Sequence, residues 1–143
     1  MSHNDFVASL FRRIKRGVSS KGRRNEFRTT AAFEGSFADV PEWLLDIYNA
    51  DEAQDPEGVD VIVVTDQGDI RVQIKSNSKK AAAFKLAQDE GRYGKDIVVI
   101  VLKEDFDPKM VRAAVISGIL GEYEKRCKES ARIALSKAIQ LPS

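Results

Sequence analysis

The sequence predicts a single α/β domain, and three observations carry that expectation. A β-branched run, Val59 to Val64, is followed across a turn signal by the strictly alternating segment Ile70 to Lys75. A further apolar run, Ile97 to Leu102, does not alternate, as expected of a strand covered on both faces. Segments with apolar residues at helical spacing stand before, between and after these runs, the pattern of a layered α/β fold. With 143 residues the chain is long enough for one compact domain, expected to span 1–143, and too short for two.

The elements follow in order. Asn4 to Arg16 reads as a basic N-terminal helix (about 4–17), with Phe6, Val7, Leu10, Phe11 and Ile14 on one face, Asn4 as its cap and Gly17 as its stop. Ser20 to Phe33 forms a second helix with Phe27, Thr30 and Ala31 facing inward, ended by Glu34-Gly35. Trp43 to Tyr48 fits a strand or a short helix, and strand is preferred. Asn49 to Gly58 is polar and breaker-rich, hence a loop. Val59 to Val64 and Ile70 to Lys75 make a hairpin; Ile70, Val72 and Ile74 should face the core while Arg71, Gln73 and Lys75 line a polar face. Ser78 caps a helix running to about Glu90, Ile97 to Leu102 is the buried strand, and two C-terminal helices (about 108–139) follow, one from Pro108 to Leu120 and one from Glu122 to Ile139. The small residues Ala113, Ala114, Gly118, Gly121, Ala131, Ala134 and Ala138 permit close helix packing, within the chain or across a homodimer.

Composition narrows the chemistry. Charged residues make up 31% and hydrophobic ones 43%, a balance that excludes a disordered or membrane-embedded chain. No basic-then-apolar leader opens the sequence, and a single cysteine, Cys127, cannot form an internal disulfide, so a reducing cytoplasm and no membrane partner are expected. With His3 as the sole histidine, any metal must be held by oxygen. Phe11 to Arg28 carries eight basic side chains against one acid, so the remainder of this +1 chain is net acidic. Such a basic arm suits a phosphate backbone, and equally a solvated helix face.

The hairpin gathers the candidate site. With Gln67 and Gly68 as the central turn residues, Asp60 lies directly opposite Lys75 and diagonal to Gln73, roughly 5 Å and about 7–8 Å apart at the β-carbons. A slip of one residue would scatter the three and expose Ile74. A carboxylate, an amide oxygen and an ammonium at such separations suit phosphodiester hydrolysis. Asp60 and Gln73 can hold a hard cation such as Mg²⁺ or Mn²⁺, and Lys75 can orient the nucleophile or stabilise developing charge. An ordinary cross-strand ion pair between Asp60 and Lys75, with Gln73 facing solvent, explains the same residues.

Gly58-Val59-Asp60-Val61-Ile62-Val63, followed by Gln73-Ile74-Lys75-Ser76, resembles the D…(D/E/Q)xK signature of the PD-(D/E)XK nuclease superfamily. In particular it resembles the QxK variants found among Holliday-junction-resolvase-like and modification-dependent restriction endonucleases. Lys21-Gly22-Arg23-Arg24-Asn25-Glu26 is similar to the KGxxxE opening of the resolvases' first core helix. The resemblance covers about residues 21–102 and implies a restriction-endonuclease-like αβββαβ core with a mixed central sheet and flanking helices. It further implies Asp60, Gln73, Glu26 and the backbone carbonyl of Ile74 as metal ligands, and Lys75 as the catalytic lysine. Gln73 departs from the usual carboxylate, and Pro56 stands four positions before Asp60 instead of directly before it. Glu34, Glu52, Asp55 and Glu57 are rival acids, read as solvated loop or helix-end residues.

Arg12, Arg13, Lys15, Arg16, Lys21, Arg23, Arg24, Lys79 and Lys80 are the candidate nucleic-acid contacts. Phe84 and Tyr93 could stack on a base, although core packing suits Phe84 better, as it does Trp43. The expected function is a Mg²⁺- or Mn²⁺-dependent DNA endonuclease. The alternatives are a catalytically weakened nucleic-acid-binding module of the same fold, or a protein-interaction domain unconnected with nucleic acid.

Overall fold

A computed structural model describes residues 21–50 and 59–140. The expected N-terminal helix, with Arg12, Arg13, Lys15 and Arg16, and the rival acids Glu52, Asp55 and Glu57 lie outside the described residues. The elements are α1 (Lys21–Ala32), β1 (Leu44–Asn49), β2 (Val61–Thr65), β3 (Gly68–Lys75), α2 (Ser78–Asp89), β4 (Val98–Val101) and α3 (Pro108–Gln140). The order αβββαβ, closed by a helix, is the one the sequence predicts, and the segment from Trp43 resolves as a strand.

The four strands form one mixed sheet in the order β1-β2-β3-β4. β1, β2 and β3 are an antiparallel meander, and β4 runs parallel to β3 after the crossover through α2. Val61, Val63, Ile70, Val72 and Ile74 alternate onto one face, where they pack with Ala32 of α1 and Val111, Val115 and Ile119 of α3. The other face is not the purely polar one expected. It carries a second apolar cluster, in which Ala50, Val59, Ile62 and Ile97 pack with Phe84 of α2. A parallel crossover needs both sheet faces covered, so this side cannot be left to solvent.

Three local expectations are corrected. The hairpin turns on Asp66 and Gln67, not on Gln67 and Gly68, because Thr65 pairs with Gly68. A two-residue turn of the primed type centred on Gln67-Gly68 would need Gln67 at positive φ, whereas positive φ among the described residues is confined to glycines, Gly68 at +99° being one. A turn followed by a left-handed glycine satisfies the same strands, and the Thr65 hydroxyl supports it by donating to the Gly68 carbonyl (2.8 Å) and accepting from the Gln67 N–H (3.1 Å). α2 is capped by Asn77, whose side-chain oxygen accepts the Lys80 N–H at 2.9 Å, so Ser78 is its first helical residue and not its cap. The two C-terminal helices are one helix of 33 residues that passes through Gly121 unbroken. Contacts on either side of Gly121 hold it: Ile119 is in the core, and Tyr123 stacks on Trp43 with ring centroids 3.9 Å apart. An isolated glycine costs only about 1 kcal/mol in a helix, which such packing overrides.

Charge also enters the interior. Arg112 is 7% exposed, yet its guanidinium donates to the Asp39 carboxylate and to the Ala32 carbonyl and lies 3.8 Å from the Phe37 ring centroid. The end of α1, the following loop and α3 are thereby joined. No helix among the described residues is long and apolar enough to cross a membrane.

Candidate functional site

The observed register moves every cross-strand pair of the hairpin by two residues from the expected one. A shift of two preserves the facing of paired residues, since side chains alternate with period two, so Gln73 and Lys75 keep the α2 side of the sheet. The paired register ends at Val61↔Val72, and Asp60 stands just before β2. Its N–H donates to the Val72 carbonyl, one residue out of that register, and its carbonyl accepts from Ala50, each at 2.9 Å, so its backbone bonds both neighbouring strands as at a bulge.

The Asp60 carboxylate is held at the strand edge, where Oδ2 accepts the Ile74 N–H at 2.8 Å. Within an extended strand the N–H and C=O of one residue point to the same side, so the Ile74 carbonyl is also directed toward β2. The Lys75 ammonium lies 5.4 Å from the centroid of Phe84, which itself stacks on Tyr93 at 4.5 Å. Its position is thus set by an aromatic face supplied by α2.

Gln73 is the unusual member. It is only 8% exposed, and its Oε1 is the one buried side-chain oxygen or nitrogen among the described residues without a hydrogen-bond partner in the protein. Gln88, equally buried on α2, shows the ordinary arrangement: its Nε2 donates to the carbonyls of Gly94 and Ile97, both at 2.9 Å. Leaving a buried acceptor unmet costs about 1–3 kcal/mol, so a ligand that supplies a positive centre to Oε1 recovers that energy.

No protein-family model, curated protein or solved structure matches this chain. The likeness to the PD-(D/E)XK nucleases accordingly stands on the motif residues and on the element order.

Glu26 lies half-buried on α1, which packs on the opposite sheet face from α2, so its helix and the hairpin triad occupy different layers. Lys21, Arg23 and Arg24 begin the backbone of α1, and Lys79 and Lys80 are exposed in the first turn of α2. Lys79 and Lys80 follow Lys75 by four and five residues in the chain. Among the described residues no three His, Cys, Asp or Glu side chains cluster as metal ligands. A cation here would be held by one carboxylate, an amide oxygen and a main-chain carbonyl, with water completing its shell. That donor set is all hard oxygen, and the unmet Oε1 fits it.

Sequence reasoning placed Gln73 on an open polar face and so missed its burial. The signal was present in Phe84 and Ala81 at helical spacing, which need a sheet surface to cover.

Proposed function

We propose that the chain is a metal-dependent endonuclease that hydrolyses phosphodiester bonds in DNA. The reading is supported by one observation, the buried Gln73 Oε1 left without a partner on the sheet face that bears Lys75, next to the Asp60 carboxylate held on the Ile74 N–H. Asp60, Gln73 and the Ile74 carbonyl would hold Mg²⁺ or Mn²⁺. When bound, the cation polarises a phosphate oxygen and makes a water more acidic.

The chain's own groups do the remainder. The hydrogen bond from Ile74 holds the Asp60 carboxylate against the strand, so its geometry is set before any ligand arrives. Lys75, steadied over Phe84, offers its ammonium to the charge that grows on the phosphate and can orient the attacking water. Lys79 and Lys80 hold the flanking backbone by displacing its counterions, as would the basic residues from Arg12 to Arg24.

A second reading is favoured by the neutral Gln73 and by the lack of an acidic cluster among the described residues: a nucleic-acid-binding module of the same fold with a weakened metal site. One experiment separates them. Supercoiled plasmid and branched DNA are incubated with the protein in Mg²⁺, in Mn²⁺ and in chelator, beside Asp60→Ala and Lys75→Ala. Cleavage that needs the cation and is lost in both variants is the expected result; cleavage that survives either substitution rejects the proposed site. Salt-sensitive binding without cleavage, unchanged by chelator, selects the binding module. Absence of DNA binding at low salt rejects both and leaves a protein-interaction domain.

A further inference from the structure

α3 is about 50 Å long at 1.5 Å per residue. Its inner side is used as far as Ser130. Val111, Val115 and Ile119 enter the core, and the Arg126 guanidinium and Ser130 hydroxyl donate to the Asp69 carbonyl and the Gln67 side-chain oxygen of the hairpin turn. Beyond Ser130 the helix continues for ten residues that are exposed apart from a half-buried Ser136, with Leu135 at 63% and Ile139 at 74%.

The outer side has an order of its own. Residues spaced three and four apart on it are small at Ala113, Ser117 and Gly121 in the first half of the helix, while the second half adds the large Leu135 and Ile139. Two glycines show the difference between the sides. A Cβ on Gly118 would meet Ile100 Cγ1 at 2.8 Å, so that glycine serves the chain's own sheet. A Cβ on Gly121 would meet nothing within 4 Å. Around it the helix surface is open and shallow, bordered by Glu124, Lys125 and Lys128 of the same helix.

We propose that this outer face of α3 is a dimer interface, on which a second copy of the chain packs its own α3 antiparallel about a two-fold axis level with Arg126. Charge complementarity selects that partner and that register. Glu124 and Lys128 are both exposed within the stripe, and an antiparallel copy centred between them brings each Glu124 opposite Lys128 of the other copy, twice by symmetry. The same register sets exposed Leu135 opposite Ser117 and Ile139 opposite Ala113, so each of these large side chains meets a small one, and Ala131 opposite Gly121, where two small residues allow close approach. A parallel pairing would instead oppose Glu124 to Glu124 and Lys128 to Lys128. The projecting end of each helix thus lies along the supported half of the other. This surface is on the far side of α3 from the sheet, so the inference stands apart from the phosphate chemistry proposed for the hairpin.

The test is the mass of the full-length chain in solution, by sedimentation equilibrium across micromolar concentrations. A dimer is expected. Leu135→Glu and Glu124→Lys should each weaken it by on the order of tenfold or more, since like charges then face one another or a charge is buried. The double reversal Glu124→Lys with Lys128→Glu should restore it. All the substituted side chains are exposed, and unchanged circular dichroism verifies that the fold persists. A monomeric chain overturns the proposal, whether its outer face then proves open to solvent or covered by residues 1–20. So does a dimer that neither single substitution disturbs, or a double reversal that fails to rescue.

Discussion

Replacing Gln73 by methionine tests the candidate site through stability alone, without any assay of activity. Methionine matches the length of glutamine and fills irregular apolar space, but carries no amide. Oε1 is buried and accepts no hydrogen bond from the protein, so in chelator the wild type carries the desolvation cost of that atom, about 1–3 kcal/mol, and the variant does not. For a chain of this size 1 kcal/mol moves the thermal midpoint by about 2–4 °C, so Gln73→Met should melt roughly 3–10 °C higher in chelator. Mn²⁺ should raise the wild type, by about 1.4 kcal/mol at a tenfold excess over its dissociation constant, and leave the variant unmoved. Thermal unfolding followed by circular dichroism reads both arms. A variant that melts lower in chelator would mean that the fold already satisfies the amide oxygen, and the reason for invoking a ligand would disappear.

Three further outcomes are expected. Phe84→Ala should cost about 3–5 kcal/mol in urea unfolding, because Phe84 anchors the second apolar cluster; a loss below about 1 kcal/mol would show that α2 does not depend on it. Gly118→Val should destabilise by about 1–3 kcal/mol through its contact with Ile100, whereas Gly121→Ala should stabilise by up to about 1 kcal/mol; equal effects would contradict the two environments assigned to these glycines. The Asp96 carboxyl is held below its ordinary value of 3.8, chiefly by the hydrogen bond from Arg71. Because it ionises more readily folded than unfolded, this pair contributes stability above pH 3.8, and that contribution is lost as the pH falls toward the folded value. Asp96→Asn should therefore flatten the acid limb of a stability–pH profile, and an unchanged limb would remove the pair from the account.

The element order could be read from the sequence because strand and helix periods separate cleanly here: Ile70, Val72 and Ile74 alternate, and Val111, Val115 and Ile119 recur at helical spacing. What hid were features whose cause lies in distant chain. Nothing in the local sequence of Gly121 says that Tyr123, Arg126 and Ser130 will be tied to the hairpin and β1 and carry the helix through. The inner face of α1 was partly misjudged because its buried residues Asn25 and Thr29 are polar. The Thr29 hydroxyl donates to the Asn25 carbonyl at 2.7 Å, and the Asn25 side-chain oxygen accepts from Arg28. Turn chemistry misled by one position, since an Asp-Gln-Gly stretch permits either of two centres and only Gly68 tolerates positive φ. The common facing of Gln73 and Lys75 survived that error because it depends on parity and not on the exact pairing, whereas Asp60 lies just outside the paired strand.

The hairpin is fastened at its tip to α3 as well as at its root to β4. The Tyr123 hydroxyl donates to Asp66 at 2.7 Å, and Arg126 and Ser130 bind Asp69 and Gln67. From Thr65 to Asp60 the strand spans about 17 Å. Two stiff, paired strands thus act as a rod, with the long helix gripping one end and the three polar groups riding on the other.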